Sequence, residues 1–332
     1  MGRWDDRICI VIVNWNGKED TLRCLDSLSR CSYPKFVIHI VDNNSSDNSV
    51  AAIRKAYPRA LIAEEKMNLG FAGGNNVAIK WALSKSFDWI FLLNNDTIVA
   101  PDVMECFLAA AQQNQTAKIF GAKILRFNQR QTIDHLGGKW NPYDANFCSL
   151  HANEIDRPIA AEPVDYVCGA ALFMHRSVPE TIGLLEPKFF LFWEETDYCF
   201  RARRRGFEVW TCPEARVWHK GSSSFSGGKP HMSYFWWRSR LLWVERNLPF
   251  AERNVILRRI IYPELWKLLR HRFYRGLQSF FLFRKNPAFL IKKKRLSASL
   301  LGAYHYFISR FGDCPTYLSR DKSPKKQPSL RD

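Results

Sequence analysis

The segment Trp89-Ile90-Phe91-Leu92-Leu93-Asn94-Asn95-Asp96 places five apolar residues directly before two amides and a carboxylate. The apolar run predicts a buried β-strand, and the polar triplet then falls at the carboxyl end of that strand. The same arrangement occurs twice earlier, where the apolar runs 8–13 and 36–41 precede Asn14-Trp15-Asn16 and Asp42-Asn43-Asn44. Strands that end in amides or acids therefore characterise the first hundred residues.

Helical patterns separate these strands. Leu22, Leu25 and Leu28 recur at helical spacing, and Asp47 is suited to cap a helix that runs to about residue 57. A short strand is predicted at 60–63 and a helix at 72–84. This alternation predicts a parallel sheet with right-handed crossovers, whose ligands bind outside the carboxyl ends of the strands. The polar triplets lie at those ends.

After residue 100 the alternation is less regular. The predicted elements are a helix at 101–113, a strand at 164–174, a helix at 195–205, short strands at 207–211 and 215–218, and helical, aromatic sequence from 233. The predicted fold class is α/β, with a Rossmann-like, mainly parallel sheet flanked by helices and a helical, basic C-terminal extension.

Charge is distributed unevenly along the chain. The formal net charge is +17, and residues 251–332 contain 19 Lys and Arg against 5 Asp and Glu, so this stretch alone carries +14. The near-neutral first 250 residues and the basic remainder are therefore expected to have different partners. We predict a main domain at 1–250, a basic amphipathic helical extension at 251–312 and a disordered tail at 313–332, which is polar and contains Pro and Lys.

The nine cysteines are scattered and form no CxxC pair. This favours reduced thiols in the cytosol over a disulfide framework or a zinc knuckle. The first residues are polar, and no apolar run reaches the roughly 18 to 20 residues of a spanning helix. The sequence thus predicts a cytoplasmic protein without a signal peptide or a membrane span.

Two motifs of the first domain suit a nucleotide. Asp42, directly after a strand, can accept a hydrogen bond from a base, whereas Asp47 fits better as a helix cap. Residues 68–76, Asn-Leu-Gly-Phe-Ala-Gly-Gly-Asn-Asn, combine close glycines with a helix start, where free N–H groups can bind an anion. The stretch is neither GxGxxG nor a Walker loop, which argues against NAD and ATP. Asx turns and a glycine-rich loop explain the same residues without a ligand.

The triplet at 94–96 suits a metal. A hard divalent cation prefers oxygen ligands and keeps substrate phosphates in its shell, so Asp96 with its flanking amides can hold an ion that also bridges a diphosphate. His219 is a candidate second ligand, and Lys220 can contact a phosphate. An Asx turn and a structural histidine are the alternative interpretations.

Residues 189–197, Phe-Phe-Leu-Phe-Trp-Glu-Glu-Thr-Asp, place acids directly behind an aromatic stretch. Apolar surroundings raise the pKa of a carboxyl group and make its carboxylate a stronger base, which suits a general base. The same acids are favoured in the first turn of any helix, where Arg201 and the arginines that follow could pair with them.

In their order and spacing these motifs resemble family 2 glycosyltransferases of the GT-A fold, and most closely the rhamnosyltransferase-type members of bacterial surface-polysaccharide pathways. The resemblance covers roughly residues 7–250. The motifs that carry it are Val13-Asn14-Trp15-Asn16-Gly17, Val41-Asp42-Asn43-Asn44-Ser45-Ser46-Asp47, the glycine-rich stretch 68–76, Leu92-Leu93-Asn94-Asn95-Asp96-Thr97, Trp193-Glu194-Glu195-Thr196-Asp197 and His219-Lys220-Gly221.

The resemblance implies an inverting transfer from a nucleotide-diphosphate donor, dTDP-rhamnose or a UDP-sugar, to a hydroxyl of a lipid-linked or cell-surface glycan. It implies that Asp96 and His219 hold a divalent metal, Mg²⁺ or Mn²⁺, that Asp42 contacts the nucleotide base, and that Glu195 is the catalytic base, with Glu194 as the alternative. The residues expected to bind the donor are Asn14, Asn16, Asp42, Asn44, Asn68, Gly70, Gly73, Asn75, Asn94, Asn95 and Lys220.

The basic and aromatic sequence after residue 251, in particular 266–282 and 292–295, is typical of segments that bind anionic membrane surfaces. This suits a lipid-linked acceptor and a peripheral protein at the inner face of the cytoplasmic membrane. A helical cap packed on the main domain is the alternative.

Three other classes of protein fit less well. A nucleic-acid binder would not explain acids at the strand ends, so no nucleic acid is expected. A sugar-phosphate nucleotidyltransferase would need a Gly- and Arg/Lys-rich loop at 14–17. A catalytically inactive glycosyltransferase-like scaffold, or a nucleotide-sugar-binding protein at the membrane, is the remaining alternative.

Overall fold

The computed structural model describes residues 5–221, 229–281 and 287–319. Strands and helices alternate through its first half. The strands are β1 (Ile8–Asn14), β2 (Phe36–Asp42), β3 (Leu61–Glu64), β4 (Trp89–Leu93), β5 (Thr97–Val99), β6 (Ala117–Arg126), β7 (Ile133–His135), β8 (Gly138–Asn141), β9 (Asn146–Ser149), β10 (Ala171–His175) and β11 (Glu208–His219).

Helices cover the sheet and continue beyond it. They are α1 (Lys18–Leu28), α2 (Ser49–Ala56), α3 (Gly70–Ser84), α4 (Val103–Gln113), α5 (Ser177–Ile182), α6 (Glu194–Arg204), α7 (Pro230–Asn247), α8 (Phe250–Ile256), α9 (Tyr262–Phe281), α10 (Pro287–Phe307) and α11 (Thr316–Ser319). A 3₁₀ turn at Pro187–Phe189 precedes α6, and a π-helical segment at Leu257–Ile261 joins α8 to α9.

In the part of the chain that the structure describes, nine strands form one sheet in the order β3-β2-β1-β4-β10-β6-β11-β5, with β7 paired to β6. The strands from β3 to β4 are parallel, and the register pairs Asn14 with Asp42 at the ends of β1 and β2. β10 enters between β4 and β6 and runs antiparallel to both. The predicted α/β class with a parallel first half is confirmed, and the second half is mixed.

The apolar run of β1 forms a buried strand, as predicted, and both faces of the strand are covered. Ile8, Ile10 and Ile12 pack into the core layer on one side of the sheet, while Cys9 and Val11 pack into the layer on the other side. All five side chains are fully buried. Strand β1 therefore fixes the centre of the parallel sheet, and it ends in the buried polar residue Asn14 at the carboxyl edge.

Two predictions for the second half were wrong in detail. The apolar stretch 164–174 is not one strand, because only β10 is regular. Before β10, Tyr166 makes an isolated bridge with Gly138, and Pro163, just ahead of the stretch, makes one with Trp210. The two short strands predicted at 207–211 and 215–218 form the single strand β11. Its register shifts between Cys212 and Arg216, around Pro213, since a proline without an N–H is tolerated in a bulge.

The C-terminal helices pack on the main domain through α7. Gly302 of α10 lies so close to α7 that a Cβ there would come within 2.2 Å of the Tyr234 carbonyl oxygen. Residues 313–319 of the predicted disordered tail are described and carry α11, with Cys314 buried, while residues 320–332 lie outside the described residues. Among the described helices, none has the length and apolar character needed to cross a membrane.

Candidate active site

The carboxyl ends of β1, β2 and β4 are joined by a network of buried and half-buried side chains. The Asn14 amide donates to the Asp42 carboxylate at 2.7 Å, and the Asn95 amide donates to Asn14 Oδ1 at 3.3 Å and to Thr21 Oγ1 at 3.0 Å. Asn14 and Asp42 are 0% and 3% exposed. These residues come together as the strand order predicts, and their hydrogen bonds hold the three strand ends in a fixed arrangement.

Exposed amides surround this network. Asn16 donates from its backbone to Ser45 Oγ at 2.9 Å and accepts from the Ser46 backbone at 2.7 Å. Asn16 and Asn44 both have positive φ, at 51° and 62°, which asparagine tolerates better than most residues. Both are exposed at the same sheet edge as Asp42. The predicted donor contacts of these residues stay predictions, and their positions at one edge are compatible with them.

The glycine-rich stretch makes its close contacts with the protein itself. Gly70 has a φ of +72°, and a Cβ there would come within 2.4 Å of the Phe190 carbonyl oxygen. That carbonyl accepts from Phe71 N at 2.6 Å, and Asn68 Oδ1 accepts from Gly70 N at 2.9 Å. The N–H groups of Gly70 and Phe71, in the first turn of α3, are therefore engaged by the protein. A Cβ at Gly73 would meet the Leu69 side chain at 2.8 Å.

Asn75 is buried within α3, where its amide donates to the Phe71 carbonyl at 2.9 Å. The side chain of the neighbouring Asn76 makes two hydrogen bonds with the backbone of Leu185. Its amide donates to the carbonyl at 2.8 Å, and its Oδ1 accepts from the N–H at 3.0 Å. Both amides thus serve the packing of α3. This placement gives no support to the predicted donor contact of Asn75.

Asp96 and His219 face each other across the ends of β4 and β11. Asp96 Oδ1 lies 3.1 Å from His219 Nε2, and the Asn94 amide lies 3.3 Å from the same nitrogen. Burial alone would raise the pKa of Asp96, but the hydrogen bond and charge of His219 hold that pKa below its usual range. A Cβ at Gly221 would come within 2.7 Å of both side chains. The predicted metal ligands are thus adjacent.

Lys220 extends from the same strand end toward α1. Its ammonium group lies 2.9 Å and 3.1 Å from the two carboxylate oxygens of Asp20. The pair is partly exposed, so it is a weak surface contact. Lys220 remains within reach of this edge of the site, and its predicted phosphate contact stays a prediction.

An unusual backbone conformation presents the two glutamates. Phe190, Phe192 and Trp193 have positive φ values of 62°, 66° and 72°, a conformation that costs bulky residues of the order of 1–3 kcal/mol each. The segment is held by Ser239, whose hydroxyl donates to the carbonyls of Phe189 and Leu191 at 3.2 Å and 3.0 Å. Such strain in a constrained segment is common at functional sites.

The two glutamates at the start of α6 have no cationic partner in the described part of the chain. Each has one buried carboxylate oxygen, Oε2, without a hydrogen-bond partner among the described residues. Among the arginines of α6, Arg201 contacts Asp197 at 2.8 Å and Arg203 contacts Asp165 at 2.6 Å. Asp197 is also contacted at 3.2 Å by Arg246 of α7. The alternative that the arginines neutralise the glutamate pair is therefore not what the structure shows.

Burial raises the pKa of both carboxyl groups. The pKa of Glu194 lies well above its usual range because of burial and then the charge of Glu195. Burial also raises the pKa of Glu195, against the opposing effect of backbone N–H groups, including that of Gly169. Glu194 is only 4% exposed, whereas Glu195 is partly exposed. Glu195 is thus the more accessible of the two.

A cleft of about 490 Å³ brings the metal-side residues and the glutamates together. Its lining includes Asn94, Asp96, His219, Glu194 and Glu195. Besides Trp193, further polar and aromatic residues line the same cleft and were not predicted from the sequence: Asp134, His135, Asn146, Phe147, Tyr166 and Trp236. Most of them lie between residues 134 and 166, where the sequence has few periodic patterns.

The fold is similar to that of known sugar-transferring enzymes. The mannosyltransferase PcManGT from Pyrobaculum calidifontis, solved in complex with GDP-Man and Mn²⁺, superposes with a TM-score of 0.56 at 13% identity, over 93% of this chain and 89% of that protein. This likeness confirms the predicted GT-A fold.

The family is shown by the sequence itself. The profile described as "Glycosyltransferase like family 2" matches residues 6–232, so the chain belongs to glycosyltransferase family 2. The low-salt glycan biosynthesis hexosyltransferase Agl10 of Haloferax volcanii is 28% identical over 213 residues, 62% of this chain and just under two thirds (65%) of that protein. The N-acetylglucosaminyl-diphospho-decaprenol L-rhamnosyltransferase of Mycobacterium tuberculosis is 24% identical over 293 residues, 76% of this chain and 94% of that protein. The predicted likeness to rhamnosyltransferase-type members is confirmed.

Proposed function

We propose that this chain transfers a sugar, with inversion, from a nucleotide-diphosphate donor such as dTDP-rhamnose or a UDP-sugar to a hydroxyl of a lipid-linked or cell-surface glycan. The observation that carries the proposal is a single cleft that contains both the Asp96–His219 pair and the unpaired glutamates. The first group suits a metal-bound diphosphate, and the second suits an acceptor hydroxyl that must lose a proton.

The donor set at Asp96 fits a divalent cation held jointly with a substrate. Asp96 supplies a carboxylate that is ionised at neutral pH, His219 supplies an imidazole nitrogen beside it, and Gly221 places no side chain against either of them. The described residues contain no cluster of three or more His, Cys, Asp or Glu side chains suited to a metal. A bound Mg²⁺ or Mn²⁺ would neutralise charge on the departing diphosphate. With only two side-chain ligands, tight binding is expected only when donor phosphates complete the shell.

Glu195 is the residue we assign as general base. Glu195 is a partly exposed residue, and its buried oxygen Oε2 has no hydrogen-bond partner among the described residues. Burial raises the pKa of its carboxyl group, which makes the carboxylate a stronger base. It would take the proton of the acceptor hydroxyl as that oxygen attacks the anomeric carbon. A single displacement of this kind inverts the configuration and needs no covalent intermediate.

The donor nucleotide is proposed to lie at the β1–β2 edge. Asp42, Asn14 and Asn95 form a rigid base to that edge, and the exposed Asn16 and Asn44 stand above it. Direct contacts are assigned to the exposed amides, because the buried polar atoms are largely satisfied by one another.

The proposed location is the inner face of the cytoplasmic membrane. Four side chains of α9, Tyr262, Trp266, Leu269 and Phe273, recur at spacings of four, three and four residues and are 46–65% exposed. This apolar stripe is accompanied by exposed basic residues, Arg258, Arg259, Lys267 and Arg270. Such a face suits an anionic lipid surface. The predicted apolar positions 277 and 280–282 lie outside the described side chains.

The nine cysteines also suit this location, because all of them are free thiols in the structure. Unpaired cysteines in this number are typical of a reducing compartment. A lipid-linked acceptor presented at the membrane surface would then meet the cleft of the membrane-bound protein.

The test is transfer itself. The purified chain is incubated with UDP-, dTDP- and GDP-sugars and a polyprenyl-diphosphate-linked acceptor, with Mg²⁺, Mn²⁺ or EDTA, and the product linkage is determined by NMR. We expect metal-dependent transfer from one donor and an inverted anomeric configuration. A retained configuration would contradict the mechanism. Donor binding without turnover, measured by thermal shift, would instead support the alternative of a nucleotide-sugar-binding scaffold.

A further inference from the structure

A buried histidine and tyrosine form a hydrogen-bonded pair in the wall of the cleft. His135, at the end of β7, lies with Nε2 2.9 Å from the hydroxyl oxygen of Tyr166, and each residue is only 9% exposed. Both line the same cleft as Glu195. The general-base assignment uses neither of them.

The hydrogen bonds of His135 define which atom donates. The backbone N–H of Gly137 donates to Nδ1 at 3.2 Å, so Nδ1 is unprotonated and the ring proton resides on Nε2. Burial lowers the pKa of His135 to about 4, which keeps the ring neutral near pH 7. Nε2 therefore donates to the oxygen of Tyr166. The hydroxyl hydrogen of Tyr166 is left to donate to a different acceptor.

The position of the Tyr166 ring is fixed by its neighbours. A Cβ at Gly138 would come within 2.2 Å of Tyr166 Cε1, so only glycine leaves room for the ring there. The backbones of the two residues are hydrogen bonded at 3.0 Å and 3.3 Å, and Phe147 meets the ring edge-on at 4.7 Å. The hydroxyl is thus a donor held in place before any ligand arrives.

The sheet order places this pair away from the nucleotide edge. β7 pairs with β6, which is separated from β1 and β2 by β10 and β4. The cleft wall around the pair is aromatic, with Phe147, Trp193 and Trp236. Aromatic walls with a few fixed polar groups suit a sugar ring, whose C–H faces pack on the rings while its hydroxyls make hydrogen bonds.

We propose that Tyr166, oriented by His135, binds a hydroxyl of the acceptor sugar and positions that sugar beside Glu195. The ligand class is a pyranose ring at the end of the acceptor glycan. This inference rests on the proposed transferase function, since it assigns the acceptor side of the same cleft. Tyr166 is a positioning residue and takes no part in the proton transfer.

Binding and transfer are measured separately to test it. Saturation-transfer NMR with the methyl glycosides of glucose, N-acetylglucosamine, galactose and rhamnose measures sugar binding without any donor. We expect Tyr166→Phe to weaken the binding of the preferred glycoside about tenfold, the loss of one hydrogen bond to a fixed donor. In transfer assays its acceptor KM should rise by a similar factor, while hydrolysis of the donor without acceptor stays unchanged.

Matched variants separate this role from a general effect on packing. Tyr198→Phe removes a buried hydroxyl from the same core layer, one that has no partner among the described residues, and should change neither binding nor KM. His135→Gln keeps an N–H donor near Tyr166 and should retain most of the binding, whereas His135→Leu should behave like Tyr166→Phe.

The outcomes distinguish the two proposals. Glycoside binding that is absent, or equal in wild type and Tyr166→Phe, would overturn the assignment of Tyr166. If the glycosides bind as expected but no donor is hydrolysed or transferred, the acceptor site stands and the proposed transfer fails. An equal loss of donor hydrolysis in Tyr166→Phe would also count against a role confined to the acceptor.

Discussion

Arg240 of α7 and Glu264 of α9 form an ion pair of 2.5 Å that connects α9 to the wall of the cleft. The buried guanidinium also donates to the backbone carbonyls of Ala145 at 2.8 Å and Asp144 at 2.6 Å. The next residues, Asn146 and Phe147, line the cleft. One arginine therefore couples the exposed face of α9 to the proposed acceptor site.

Glu264→Gln should weaken this connection. The variant leaves Arg240 with its carbonyl partners but without a counter-charge, and because Glu264 is partly exposed we expect the free energy of unfolding to fall by only about 1 kcal/mol. The acceptor KM should rise severalfold as the loop at 144–147 loosens. Thermal denaturation and transfer kinetics measure the two effects. Glu252→Gln, at an exposed position of α8, is the control, and equal behaviour of both variants would argue against the coupling.

Asp96→Asn tests the metal site with little change in shape. The amide cannot supply the negative charge, so metal-dependent transfer should fall by about 100-fold or more. The increase in melting temperature on adding Mn²⁺ with a nucleoside diphosphate should disappear. Asp26→Asn, at an exposed position of α1, should leave both unchanged. Full transfer activity in a folded Asp96→Asn protein would remove Asp96 from the metal site.

The metal-side residues also show what the sequence could predict. Asn94 and Asp96 were predicted to lie at the ligand-binding edge because they follow a long apolar strand of an α/β sheet, and His219 was predicted to join them as a candidate second metal ligand. The glycines at 70 and 73 are ambiguous in sequence, because a glycine needed for contact with Phe190 or Leu69 looks the same there as one needed for a ligand. A glycine in the sequence indicates that another group lies close to the backbone there. It does not indicate whether that group belongs to the protein or to a ligand.

The residues of the proposed acceptor site could not be predicted from the sequence, for a different reason. His135 and Tyr166 are 31 residues apart, and their pairing depends on Gly138 and on bridges formed by a segment that was predicted as part of one strand. No periodic pattern marks such irregular pieces. Likewise, nothing in the sequence signals the positive φ values at Phe190, Phe192 and Trp193, since aromatic residues rarely adopt them.

Glu195→Gln should abolish the pH dependence that a general base imposes. In the wild type, transfer should increase with pH as Glu195 loses its proton, over a range displaced above that of an ordinary glutamate because burial raises its pKa. The variant should lose about 100-fold or more in kcat, with no ascending limb. Glu194→Gln should keep that limb. The opposite result, with Glu195→Gln active and Glu194→Gln inactive, would assign the base to Glu194.

Glu194→Gln should stabilise the protein increasingly as pH rises. The pKa of Glu194 is higher in the folded chain than in the unfolded one, so above the ordinary glutamate pKa of about 4.3 the folded state binds the extra proton. Stability of the wild type therefore falls as pH rises through this interval. The neutral amide avoids that loss. Melting temperatures from pH 4 to 8 should diverge in favour of the variant, and parallel curves would show that the carboxyl group is not buried as described.

The double variant Trp266→Ser with Phe273→Ser tests the apolar stripe of α9. Both side chains are 65% exposed, so their removal should not destabilise the fold, yet it removes the apolar part of the proposed lipid contact. Co-sedimentation with vesicles of phosphatidylglycerol and phosphatidylcholine should fall at least tenfold. Binding of the wild type should weaken with salt, because the flanking Lys and Arg act through screened charge.

A matched pair of aromatic residues separates lipid binding by α9 from nonspecific adhesion. Tyr304 and Phe307 of α10 are 56% and 55% exposed but lie outside the stripe, so Tyr304→Ser with Phe307→Ser should bind vesicles like the wild type. Transfer to a water-soluble acceptor should be unaffected by the α9 variant, whereas transfer to a lipid-linked acceptor in vesicles should fall along with binding. If both double variants bind equally well, the apolar face of α9 does not dock on the membrane, and the +14 charge of the C-terminal region would be left as the only attraction to it.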